Sequence, residues 1–233
     1  MKEMVIRFVR QKLGNPGIVL VLLALAGLTL LSMLSGQGGP AVLAVLLLAP
    51  GSVSRDISSG TVQMILARPI RRSEYLLGRY LGILAVYAAF LLVALLVTLA
   101  TRPLLAGTFG TPDSLAATDL FRVAAGEWLD GTLLAATLVF FSTFLPGIGD
   151  LLAYFMLQVG LGVASTLGAR FPAIAEGAKV ARENLLPRVE WAEVLRGEGA
   201  LGAAPGRFVL ALVAFLVGAL FVFSRREFTY GHD

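Results

Sequence analysis

Two long stretches of this chain carry no charge at all, 42 residues over 13–54 and 22 residues over 80–101. Between them, residues 52–82 hold Arg55, Arg68, Arg71, Arg72 and Arg79 together with Asp56 and Glu74. A straight crossing of a bilayer takes about 20 apolar residues. An insert this charged must therefore stand in water or among headgroups between two crossings. Gaps between charges predict six spans, at 17–34, 40–53, 81–100, 131–145, 151–168 and 208–224. The second is short and Pro50-Gly51 kinks it, and the fourth is short before Pro146. Residues 35–40 and 146–150 are Gly- and Pro-rich turns, too small to be domains. The predicted fold is all-α and polytopic, one transmembrane domain over 1–233.

Residues 1–16 follow a different pattern. Met1, Met4, Val5, Phe8 and Val9 recur at helical spacing with charges between them, which reads as an interfacial helix ahead of the first span. A signal peptide is the competing reading, but the apolar run is long and no Ala-x-Ala site follows it.

The charged insert has its own order. Asp56 opens a predicted amphipathic helix of about three turns with Ile57, Thr61, Met64 and Ile65 on one face and Asp56, Ser59 and Gln63 on another. Pro69 ends it, because the residue before a proline is pushed out of the helical region. Ser73 is placed to cap a second helix that runs through Leu76, Leu77 and Gly82 into the third span, with Glu74 near its positive end.

Composition agrees with a bilayer protein: 57% of residues are hydrophobic and 15% charged, with a mean hydropathy of +0.83. The net charge of +4 does not form a single stripe, so anionic headgroups are the expected partner and nucleic acid is not. With no cysteine, and with the single histidine at His232, the chain offers no thiolate chemistry and no histidine-based metal or catalytic site. Paired carboxylates or a Ser-His pair at usable depth are also missing, so a membrane-embedded enzyme finds no support.

Eleven bases fall on the side of the insert: Lys2, Arg7, Arg10, Lys12, Arg55, Arg68, Arg71, Arg72, Arg79, Arg225 and Arg226. Eight fall on the other, six of them in the 169–207 loop among five glutamates. The clustered insert sets the expected orientation, with both termini and residues 52–80 in the cytoplasm and the chain in the cell inner membrane. The 169–207 loop is then extracytoplasmic, capping the bundle or gating it, with Trp128 and Trp191 as interfacial anchors.

Arg55-Asp56, Gly60-Thr61, Leu66-Ala67, Pro69, Arg72 and Gly78-Arg79 resemble the cytoplasmic coupling segment of ABC-2 type transporter permeases. Asp56 stands where the family more often has Glu, and Arg79 where it more often has Lys; both keep the charge. The resemblance implies a permease subunit, itself not an enzyme, whose coupling helix docks on a separate ATP-hydrolysing subunit that carries the ATP and magnesium. Export is the family default, and six spans imply a second permease chain, identical or a paralogue. Arg55, Asp56, Gly60, Thr61, Gln63, Leu66, Pro69 and Arg72 are the expected partner-binding residues. For Arg71, Arg72 and Arg79, anchoring to headgroups competes with partner contact.

The residues themselves lead the same way. The six spans contain no ionisable group to couple to an ion gradient, and none of Lys2, Lys12 or Lys179 follows the glycine that a phosphate-binding loop requires. A pump built this way imports its energy; a passive scaffold that recruits a cytosolic partner through 52–80 is the alternative. Tyr87, Tyr154 and Gln158 are candidate pathway residues, against the competing reading of interhelical hydrogen bonds. The sequence does not specify the substrate.

Overall fold

The computed structural model describes residues 2–34, 41–66, 70–105, 117–167, 171–197 and 203–226, and every element among them is a helix or a turn. Helix α1 (Lys2–Leu13) buries Phe8 and leaves Glu3, Arg7 and Arg10 exposed, the amphipathic division expected of an interfacial helix. Asn15 then accepts a hydrogen bond from the Gly17 amide at 3.0 Å and Pro16 takes the first position of α2 (Pro16–Leu34), a capped start with a pre-set φ. The two helices meet at 84°.

Residues 40–53 do not make a crossing among the described residues. They hold α3 (Val42–Leu48), seven residues long and so about 10 Å, a third of the hydrocarbon thickness. Pro50 follows, and Gly51 turns the chain at φ +69. The insert continues as two short helices, α4 (Ser54–Ser58) and α5 (Thr61–Leu66), separated at Gly60 with φ +68. The single three-turn helix expected there is thus broken in the middle. Val62 and Ile65 face inward and Met64 outward, a different division from the one the spacing predicts.

Helix α6 (Arg72–Leu105) is 34 residues long, about 51 Å at 1.5 Å per residue, and its first turns outreach a hydrocarbon core. It begins at Arg72, which leaves Ser73 inside the first turn instead of capping it. Helix α7 (Ala117–Ser142) starts well before the predicted boundary at Gly131 and carries Asp119, Arg122, Glu127 and Asp130 ahead of it. The expected span boundary therefore does not coincide with a helix end, while the stretch of α7 from Gly131 onward holds no charged residue. Helices α8 (Gly149–Leu167), α9 (Pro172–Leu185), α10 (Trp191–Arg196) and α11 (Ala203–Arg225) complete the described chain.

Among the described residues four helices, α6, α7, α8 and α11, are long and apolar enough to cross a membrane, or five counting the bent α1–α2 pair. Six exceeds this because 40–53 folds as the short α3. Helix α7 is the hub, in contact with α3, α6, α8, α10 and α11. Lipid offers no hydrophobic drive for helices to associate, so close approach at small residues supplies the packing. At Gly131 a Cβ would run into the Tyr87 ring, and at Gly82 one would lie 2.9 Å from Cδ1 of Phe8.

At the far end α9 lies on α8 and α11, while α10 lies on α7. Trp191 meets Phe208 edge-on at 4.9 Å and donates from Nε1 to Asp130 Oδ1 at 2.9 Å. Arg196 reaches Asp119 at 3.5 Å. Trp191 is therefore a packing residue within the chain and not the lipid anchor expected of it, whereas Trp128 is exposed.

Candidate functional site

The insert is stitched to the rest of the chain along its start. Gly51 donates its amide to Asp150 Oδ2 at 2.8 Å. Ser142 Oγ accepts from the amides of Val53 at 3.2 Å and Ser54 at 3.0 Å, satisfying donors that the start of α4 leaves free. Ser54 Oγ donates in turn to the Gly147 carbonyl at 2.8 Å. Asp150 is fully buried, and its second oxygen accepts from the Leu151 amide at 2.8 Å at the head of α8.

A second link runs to α6. Asp56, 8% exposed, forms an ion pair with Arg79, and the same Oδ2 accepts the hydroxyl proton of Tyr75 at 2.6 Å. Tyr75 stacks on Phe223 of α11 at 5.6 Å between centroids. The Arg79 guanidinium lies 5.7 Å from the Tyr75 ring centre and 5.6 Å from that of Phe8, and donates from Nη1 to Gln11 Oε1 of α1 at 3.4 Å. Two turns earlier, Arg72 Nη1 donates to the carbonyls of Ser224 at 2.8 Å and Arg226 at 3.0 Å, completing the C-terminal end of α11. Arg226 donates to the Thr143 carbonyl. The bases of α1, the insert, α6 and α11 thus share one end of the molecule, as their grouping in the sequence predicts.

These contacts separate the expected partner-binding residues into two sets. Asp56 and Arg72 are occupied inside the chain. Arg55 is exposed, and Gly60 and Thr61 are half-buried with Ser59 Oγ 2.8 Å from Thr61 Oγ1; beside them Ser58, Ser59 and Met64, not among the expected partner-binding residues, are also exposed, Met64 at 69%. The side chains of Gln63 and Leu66, and all of Pro69, lie outside the described residues. The ammonium of Lys12, 5.6 Å over the Phe8 ring, is pushed down to about 8 by burial first and then by Arg55 and Arg79, with Asp150 opposing them.

The candidate pathway residues are not brought together. Tyr87 is buried against α7 and donates to the Glu127 carbonyl at 3.0 Å. Gln158 donates to Tyr154 Oη at 2.8 Å within α8. The first joins α6 to α7 and the second is internal to α8, and among the described residues no hydrogen bond joins Tyr87 to the α8 pair. No group of three or more potential metal-ligating side chains occurs among the described residues.

Tyr75, Ser142, Asp150 and Gln11 were not among the residues the sequence singled out for this site. Asp150 carried a local signal, an acid after a Gly-Pro turn at the head of an apolar run. Tyr75 carried none, since its partner is 19 residues away.

The model of the ABC-2 family transporter proteins matches residues 28–197, more than half of the chain and including the whole insert. No match occurs among curated proteins or among solved structures. With its apolar helices and a charged insert at the foot of α6, the chain belongs to the ABC-2 family, the membrane-embedded permease components of ABC transporters.

Proposed function

We propose that this chain is the permease subunit of an ATP-driven exporter in the cytoplasmic membrane, with the basic end in the cytosol and a separate ATPase docked on α4 and α5. The observation that carries this reading is the exposed face of Arg55, Ser58, Ser59 and Met64 on an element tied by buried bonds to α6. ATP and magnesium are held by the partner, and its closure on nucleotide moves α4. Helix α6 follows because it is continuous from Arg72 to Leu105. Positive charge at that end favours the cytosolic orientation, in which both termini are cytosolic. A second permease chain, identical or a paralogue, covers α8, of whose most apolar stretch only 6% is buried inside this chain. Lipids cover the remaining apolar faces.

Arg55→Asp combined with Met64→Asp changes only exposed positions. The double variant should insert normally and lose co-purification with the ATPase of its own transporter. Association at the wild-type level would refute docking through α4 and α5. Association without any ATP-driven change in the membrane helices would favour the scaffold.

A further inference from the structure

We propose that Asp150 is a positioning residue: its buried carboxylate clasps the turn ahead of the docking helices to the head of α8, so that force on α4 reaches α8 directly and not only through α6. This rests on the reading of α4 and α5 as the ATPase dock.

The two carboxylate oxygens are divided between the two elements. Oδ2 takes the Gly51 amide and Oδ1 the Leu151 amide, both at 2.8 Å, in a site with no solvent exposure. Among the described residues no cation lies within ion-pair distance of it, so directed amide bonds satisfy the charge. The Gly51 turn has little freedom to yield. Its φ of +69 suits glycine, and a Cβ there would sit 2.7 Å from Nε of Arg55. Val53 and Ser54 add bonds to Ser142 and Gly147 on the same α7–α8 turn. Among the described residues α8 packs mainly on α7 and α9, and little of its most apolar stretch is fully buried, so the clasp at its head is its direct tie to the insert. Asp150 is the second residue of α8, so the Gly51 bond alone crosses between the elements, and alanine at 150 removes it together with the bond to Leu151.

The chain has no cysteine, so single cysteines report unambiguously. Spin labels at Met156→Cys on α8 and Leu96→Cys on α6, both at exposed positions, are followed in nanodisc-embedded complex with its ATPase before and after addition of MgATP and orthovanadate. In the wild-type background both labels should respond. Asp150→Ala, which removes the bond to Gly51, should leave the α6 response and shrink the responding α8 population about tenfold, the effect expected for one lost bond to a charged acceptor. Ser54→Ala, which removes only the bond to Gly147, should give a smaller loss at α8 and serves if Asp150→Ala does not fold. An α8 response undiminished in these variants overturns the clasp while leaving the dock intact. Absence of response at both labels in the wild-type background overturns the dock and the clasp with it.

Discussion

Tyr75 and Asp56 meet at 2.6 Å, hydroxyl to carboxylate, across the junction between the insert and α6. The oxygen that accepts this proton also faces the Arg79 guanidinium. An acid expected to reach outward to a partner is instead the internal joint between a surface helix and a long span. What α4 leaves exposed is its other side, at Arg55 and Ser58.

The Asp56–Arg79 pair is buried, so removing either member strands the other. Asp56→Leu or Arg79→Met alone should lower stability by about 3–5 kcal/mol. Asp56→Leu with Arg79→Met should cost clearly less than the two single changes added together, because no charge is left behind. Thermal unfolding of the four proteins in detergent closes this cycle, and strict additivity would argue against the pair.

Lys12 gives the pH dependence. Its folded value of about 8 lies below the ordinary lysine value. The unfolded chain therefore binds more protons between about pH 8 and about pH 10.4, and stability should rise with pH across that window. Below it the full penalty of the buried charge applies. At pH 8 about half of Lys12 should be neutral, against under about 1% for an unperturbed lysine. Amine-reactive labelling read by peptide mass should find Lys12 modified ahead of Lys2 and Lys179, and Arg55→Gln should slow it.

Glycine positions differ sharply. Gly131→Ala drives a methyl into the Tyr87 ring and should destabilise by roughly 1–3 kcal/mol, the usual range for overpacking. Gly177→Ala on α9 meets nothing within 4 Å and should stabilise by about 0.5–1 kcal/mol through helix propensity. Melting temperatures moving in opposite directions would confirm the pair.

Trp191→Phe keeps an aromatic ring against Phe208 and removes the donor to Asp130. The loss should be about 1–3 kcal/mol, the cost of leaving an acceptor without its bond. It should be local, seen as faster hydrogen exchange over 191–196 with α6 unchanged.

Much of this fold was legible because hydrocarbon tolerates few charges: α2, α6, α8 and α11 fall largely where uncharged runs place them. The same rule misjudged 40–53, where Pro50 and the left-handed Gly51 end a short helix, and misjudged the start of α7, where Asp119, Arg122 and Asp130 are matched by one another, Arg196 and Trp191. At the site, the charged insert was visible as a motif. Its wiring was not: Asp56 finds Tyr75 and Arg79 19 and 23 positions away, and Gly51 finds Asp150 at 99. Such pairings are set by tertiary packing and leave no periodic trace.

The 84° elbow between α1 and α2 has a mechanical consequence. With α2 upright, the 12 residues of α1 lie flat as a rod about 18 Å long and about 10 Å wide. That rod is braced on α6, with Phe8 filling the space over Gly82, so a rotation of α6 would sweep α1 along with it.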